Sequence, residues 1–276
     1  MSKFLKFCGL ITLICFSFFY TEKVMMVVSE RDPLKMKIIN TMDLYKIDAY
    51  EAIINEDTII PGINGRVVNV QKSYNKMKKN NVFNDNYLVY DSIFPKDRLE
   101  DNLDKYIISG NKINNKISIV FIIYNSNNLD KIINILDNKL VIANLFVDYN
   151  YLYKNINDIK KYINHNIYSY QDKYTYDSLV ISNNIIKRVA NNNPSLCFVD
   201  VKDNDNLNVC SYSKMNTIIP SVNGTLFDIK NKLENGSIIL VDTGINTVNE
   251  LSYIIDFIVG KGYEIVGLDE LLSENI

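Results

Sequence analysis

Asn235-Gly236-Ser237-Ile238-Ile239-Leu240-Val241 and Lys261-Gly262-Tyr263-Glu264-Ile265-Val266-Gly267-Leu268-Asp269-Glu270-Leu271-Leu272 bracket an amphipathic run from Val248 to Val259. Asn-Gly punctuates a turn. Ile238 to Val241 then forms a short apolar run of strand length. Gly260 stops the helix that follows. Tyr263 to Val266 is a second strand, and Leu268 to Leu272 is a closing helical turn. Two apolar strands joined by a helix make a βαβ unit, whose strands lie parallel and buried on both faces.

The alternation continues upstream. Ile117 to Tyr124 is a nearly continuous apolar strand, and Leu129, Ile132, Ile133 and Leu136 follow at helical spacing. Val141 to Val147 reads as a strand, and Tyr151 to Ile163 as a helix with Leu152, Ile156, Ile159 and Ile163 on one face. His165 to Ser169 is a short strand. Leu179 to Val189 is a helix ending in Lys187-Arg188, where cations suit a helix C-terminus. Leu196 to Val201 and Met215 to Ile219 are strands, and Leu226 to Leu233 is a helix stopped by Asn235-Gly236. Such alternation implies a mainly parallel sheet covered on both faces. The predicted fold class is α/β, a (β/α)7-type distorted barrel, closed or nearly closed. An open doubly wound sheet is the alternative.

Before residue 113 the pattern differs. Pro61-Gly62 and Asn64-Gly65 mark turns, and Val70 to Lys79 reads as a short amphipathic helix. Tyr87 to Tyr90 and Ile107-Ile108 read as extended pieces, and polar Gly110 to Lys116 closes the region. The expected domains are a signal anchor or transmembrane helix over 1–24, an accessory region over 25–112 and the main domain over 113–276. Lys3 and Lys6 precede or interrupt a largely apolar start, and Phe7 to Tyr20 is an uncharged run of 14 residues. A span needs roughly 17–25 residues, so this run is at the short limit. No small-x-small cleavage site follows at Thr21-Glu22-Lys23-Val24. The expectation is an uncleaved single-pass anchor in the cell membrane. Lys3 and Lys6 stay cytoplasmic and the C-terminal domain is extracytoplasmic. A cleaved signal peptide is the alternative.

Apolar residues at 47% and charged residues at 22% suit a folded protein. The net charge of −2 and the absence of a basic stripe argue against a nucleic-acid partner. There is no glycine-rich phosphate loop and no Ser-His-Asp set. Cys8 and Cys15 sit in the apolar run. Cys197 and Cys210 flank the turn-forming cluster Asp203-Asn204-Asp205-Asn206. A hairpin there would bring them together, and an exported compartment permits a disulfide; two unpaired thiols are the alternative. No Cys-x-x-Cys pair supports a zinc knuckle.

The order of these elements and several local strings resemble the polysaccharide deacetylase (NodB-homology) family. The stretch from Asn235 to Leu272 looks like that family's penultimate strand, last helix and closing segment. Ser118-Ile119-Val120-Phe121 looks like its first strand, and Val141-Ile142-Ala143-Asn144-Leu145-Phe146-Val147 like its second. The resemblance covers about residues 113–276. Upstream, Pro61-Gly62-Ile63-Asn64-Gly65-Arg66 and Tyr106-Ile107-Ile108-Ser109-Gly110-Asn111 look like the accessory region of membrane-anchored members from low-GC Gram-positive bacteria. The resemblance implies hydrolysis of acetyl groups on sugars. An Asp and two His hold a divalent metal, a second Asp is the base and a late His is the acid.

The sequence contains one histidine, so it cannot supply that set. Where the family has Asp-Asp after its first strand, Ile122 and Ile123 stand here. The string Asn164-His165-Asn166-Ile167-Tyr168-Ser169 matches the one before the metal motif, which puts Tyr170 and Tyr174 at the two ligand positions. His165 matches a non-ligand histidine. Val199-Asp200-Val201-Lys202 replaces the Arg-Pro-Pro-Tyr motif, and Asp242 replaces the acid histidine. The family's metal is therefore not expected, nor is any other cofactor. The expected protein is a catalytically inactive deacetylase-like protein of the cell envelope. Its partners are the membrane and cell-wall or surface glycan. Tyr168, Tyr170, Tyr174, Asp200 and Asp242 are the candidate glycan-binding residues, since tyrosines at a barrel mouth stack on sugars. Tyr176 belongs to the same cluster. Two alternatives remain. One is an active carbohydrate hydrolase using Asp148, Asp200 and Asp242, carboxylates at strand ends. The other is a structural interaction protein whose partner binds residues 25–112.

Overall fold

The computed structural model describes residues 11–18, 20 and 32–276. Residues 11–18 are helical and leave Ile11, Leu13, Ile14 and Phe16 exposed. Much of the expected anchor, including Lys3, Lys6, Cys8 and residues 21–24, lies outside the described residues. Among the described residues no helix is long and apolar enough to cross a membrane. Thirteen strands run through those residues: β1 (Ile53–Asn55), β2 (Thr58–Ile60), β3 (Gly65–Val68), β4 (Tyr90–Ile93), β5 (Tyr106–Ile107), β6 (Lys116–Ile123), β7 (Asn144–Asp148), β8 (Asn166–Tyr170), β9 (Leu196–Phe198), β10 (Asn216–Ile218), β11 (Val222–Asn223), β12 (Ile238–Val241) and β13 (Glu264–Ile265).

The chain divides into two units. One takes in the described residues up to Ala49 together with Asn64–Ile93. It packs helices Pro33–Thr41 and Val70–Met77 with the antiparallel ribbon β3–β4 around Leu34, Ile38, Val68, Tyr74, Met77 and Leu88. Asp32 caps the first helix and accepts the Tyr74 hydroxyl at 2.8 Å. The other unit is Tyr50–Ile63 with Phe94–Ile276. The boundary expected near residue 113 is thereby corrected. β2 and β5 lie upstream of it, yet β5 pairs in parallel with both β2 and β10. Such long-range pairing leaves no local sequence pattern.

Within the larger unit, β6 is the central strand. β12 pairs along one edge of it, and β7 and β13 share the other. Ile117, Ile119, Phe121 and Ile123 face a core closed by helices Leu129–Asn138 and Ile245–Gly260. Val120 and Ile122 face an inner core that also takes Phe146, Tyr168, Phe198 and Ile218. Both faces being covered explains the continuous apolar run. The turns before β12 and after helix Ile245–Gly260 sit where glycine is needed, with Gly236 at φ 81° and Gly262 at φ 87°.

No closed barrel forms. The strands of the larger unit make two sheets, β1-β2-β5-β10-β9 and β11-β12-β6-β7-β8 with β13. At one junction the chain changes sheets across Pro220. The Ile219 N–H donates to Ile107 and the Ser221 N–H to Ile238, while proline has no N–H to offer. At the other junction, β8 and β9 are bridged by a side chain. The Tyr174 hydroxyl accepts the Phe198 N–H at 3.2 Å, with the carbonyls of Phe198 at 3.2 Å and Ser169 at 3.3 Å available to its proton.

The segment between Cys197 and Cys210 is a helix, Asn204–Tyr212, in place of the expected hairpin. Asp203 caps it by accepting the N–H groups of Asp205 and Asn206, as a favourable N-cap does. The two cysteines are buried and joined in a disulfide that ties this helix to β9.

A polar seam fills the step where β13 gives way to β7 beside β6. The Asn144 amide donates to the Ile119 carbonyl at 2.9 Å and accepts from the Leu268 N–H at 2.8 Å and from Asn166 at 3.1 Å. Ser118 donates to Val266 at 2.6 Å. Asn144→Ala strands these buried partners and is expected to cost about 3 kcal/mol, read as a lowered urea midpoint. A loss below about 0.5 kcal/mol would show that the seam does not hold β13 in place.

Candidate functional site

A cleft of about 740 Å³ opens where the strands of the larger unit end. Ile122 and Tyr124 come from the end of β6, Asn223 and Gly224 from β11, and Val241 and Asp242 from β12. Asp200 follows β9, and Asn246, Thr247, Glu250 and Ile254 come from helix Ile245–Gly260. Gly224 is required here, because a Cβ would lie 2.6 Å from the Leu240 carbonyl oxygen. Beyond Asp200 a side pocket of about 130 Å³ is walled by Tyr170, Gln171, Asp172, Val201, Asp203 and Asn206, among others.

The Asp242 carboxylate is anchored by its own turn. One oxygen accepts the Gly244 N–H and the Thr247 hydroxyl, each at 2.6 Å. Asp200 sits on the rim shared by cleft and side pocket. Partial burial, and then the charge of Asp172, raise its pKa. Tyr170 donates to Asp172 at 2.9 Å and meets Tyr124 edge-on at 5.6 Å. Burial first, then these two partners, hold its phenol protonated well above the ordinary range.

Of the residues expected to bind glycan, Asp200 and Asp242 share the cleft. The tyrosines are placed differently. Tyr168, Tyr170 and Tyr174 are 1%, 5% and 2% exposed, so none offers an open ring face to a sugar. Tyr168 stacks on Phe146 with centroids 4.8 Å apart and donates to Asp269, and Tyr174 bridges β8 and β9. Tyr176 lies edge-on to Tyr212 and does not line the cleft. Tyr168 and Tyr170 belong to the inner core with Phe146 and Phe198, and Tyr174 to a core with Cys197, Leu207 and Cys210. Asp148 does not line the cleft either. It caps a helix by accepting the Tyr151 N–H at 2.9 Å, which breaks up the expected trio of Asp148, Asp200 and Asp242. Tyr124, Thr225, Asn246 and Glu250 were not expected; Tyr124 alone carried a signal, as the residue closing the first strand.

His165 lies at the opposite end of the strands. It is buried beside the start of β7 and β8, where its Nδ1 accepts the Ala143 N–H at 3.3 Å. Its Nε2 stands 3.4 Å from Asp137 but too poorly aligned for a hydrogen bond. Among the described residues no group of three His, Cys, Asp or Glu side chains is placed to hold a metal.

No family model matches the chain. The uncharacterized protein YlxY of Bacillus subtilis is 26% identical over 278 residues, covering 90% of this chain and 86% of that protein. Wild-type BA3943 of Bacillus anthracis, described as a CE4 family pseudoenzyme, has a TM-score of 0.65 and 24% identity, over 89% of this chain and 96% of that one. The Bc1960 peptidoglycan N-acetylglucosamine deacetylase has a TM-score of 0.53 and 20% identity, over 62% of this chain and 95% of that one. The chain has the fold of the CE4 carbohydrate esterases. The resemblance to polysaccharide deacetylases therefore holds in three dimensions.

The CE4 fold implies a divalent metal, and the residues present do not fit one. At the family's paired-aspartate position, Ile122 faces the cleft and Ile123 is fully buried in the outer core. Neither carries a donor atom.

Two outcomes follow. Tyr174→Phe removes the bridge between the sheets and is expected to cost about 1–3 kcal/mol, measured by urea unfolding; an unchanged midpoint would contradict the bridging role. Burial lowers the His165 pKa below the ordinary 6.5, against the pull of Asp137. The unfolded chain then takes up a proton that the folded chain resists, so this group's contribution is present above that pH and is lost as pH falls. His165→Gln is expected to flatten the acid limb of stability against pH. A limb unchanged by the substitution would contradict this.

Proposed function

We propose that this chain is a deacetylase-like protein of the cell envelope that binds glycan in the cleft and does not carry out metal-dependent deacetylation. The observation that carries this reading is the chemistry of the cleft. At the mouth of a CE4 fold, Ile122 takes one of the paired-aspartate positions and the sole histidine lies at the far end of the strands. The cleft is nevertheless kept open at a volume suited to small ligands, which run roughly 300–1,000 Å³. Tyr124, 51% exposed, offers a ring face for a sugar. Asn223, Thr225, Thr243 and Asn246 supply groups that pair with hydroxyls.

We further propose a membrane anchor at the N-terminus with the larger unit outside the cytoplasm. Lys3 and Lys6, the uncharged run to Tyr20 and the exposed apolar side chains of residues 11–18 support the anchor. The Cys197–Cys210 disulfide supports an oxidising compartment.

The test is full-length protein incubated with N-acetylglucosamine oligomers and added zinc, with acetate release and calorimetric binding read together. The expected result is no acetate and saturable binding, weakened about three- to tenfold by Tyr124→Ala. Acetate turnover with stoichiometric zinc would overturn the proposal, as would the absence of binding.

A further inference from the structure

The cleft and its side pocket are acidic without relief. Asp200, Asp242 and Glu250 line the cleft, and Asp172, Asp200 and Asp203 line the side pocket, yet neither has a lysine, arginine or histidine in its wall. Ion pairs elsewhere use up lysines on the surface, as Lys202 does with Asp57 and Lys139 with Asp256. Like charges gathered in a concave, partly desolvated site focus a negative potential that favours a cation. The carboxylates are not convergent enough for a metal ion, since no three of them form a ligand set among the described residues. The cation must therefore come on a larger ligand that fills a cleft of about 740 Å³.

A second observation lies in the side pocket. Gln171 is 8% exposed and lines it. Its Oε1 accepts the Ser178 hydroxyl, and its Nε2 has no partner. A buried amide donor left unpaired costs free energy until something accepts from it. Asp203 is occupied in capping its helix and Asp172 in accepting Tyr170, so Asp200 is the carboxylate at the junction not committed to either role. The site thus combines carboxylates that accept, an amide that donates and an open aromatic face at Tyr124.

We infer that the cleft selects amine-bearing sugars over their N-acetylated forms, with the sugar ammonium at Asp200 between cleft and side pocket. This rests on the glycan reading above and narrows it. A protonated amino sugar answers the whole set. Its ammonium meets the carboxylates, and its hydroxyls both donate and accept. An N-acetyl group removes the charge and adds bulk where the pocket beyond Asp200 holds only about 130 Å³. The partial burial and the Asp172 charge that raise the Asp200 pKa are the same terms that a bound ammonium would offset.

The test is calorimetry on the full-length protein with two probes, a glucosamine tetramer and an N-acetylglucosamine tetramer, near pH 6, below the usual range of such amines. The amine form is expected to bind about tenfold tighter at low salt, and the preference to shrink as salt rises. Asp200→Asn is expected to remove most of the preference, weakening the amine tetramer far more than the acetylated one. Glu250→Gln, on the opposite wall, is expected to reduce it about two- to threefold. Equal affinity for the two tetramers, or tighter binding of the acetylated one, would overturn this inference and leave the glycan reading standing. Binding of neither would overturn both.

Discussion

The structure depends on β6 being buried on both faces while holding three other strands. β12 takes one edge, and β7 and β13 divide the other. A strand in that position admits only apolar side chains or polar ones with a partner, which is why Ser118 donates to Val266. A lone carboxylate at its end would carry the desolvation cost of a charge unless a cation stood beside it. Ile122 and Ile123 resolve this by burial, worth roughly 2–3 kcal/mol each. The change that suits the strand is also the change that removes the paired carboxylates the resemblance implies there. Stability and chemistry compete for the same two positions.

The same exchange recurs around the mouth. Tyr170 and Tyr174 stand where the resemblance places metal-binding histidines, and both are turned into packing and bridging. Tyr174 supplies the hydrogen bonds that β8 and β9 do not exchange directly, and Tyr170 braces Asp172 and Tyr124. These large side chains narrow the space on one side of Asp200 to a side pocket of about 130 Å³. The larger opening lies on its other side, walled by β6, β11, β12 and the helix after Asp242. The Asp242 turn ties the end of β12 to the start of helix Ile245–Gly260 on this side, its carboxylate committed to Gly244 and Thr247.

The fold was legible where local pattern decides it. The stretch that opens the sequence analysis reads as β12, a helix and β13, and the first strand reads to within a residue of β6. The split of the barrel was not legible, because Pro220 and the Tyr174 hydroxyl act across sheets rather than along the chain. The membership of β2 and β5 in the larger unit was hidden for the same reason. At the site, the strand-end reading singled out Asp200 and Asp242, and both line the cleft. The tyrosines were read as open surfaces at a barrel mouth, but the sequence does not show what covers them, and Tyr168 and Tyr170 are core. Asp203 was read as turn chemistry and serves as a helix cap, since the same side chain suits both.

The central claim is that a CE4 fold here presents a glycan-binding cleft with no metal centre. A crystal structure of the full-length protein grown with zinc and a glucosamine oligomer tests it most directly. The account predicts sugar seated against Tyr124, Asp200 and Asp242, with no zinc held by side chains of the cleft. Zinc coordinated there, or a sugar bound elsewhere while the cleft holds only solvent, would contradict it.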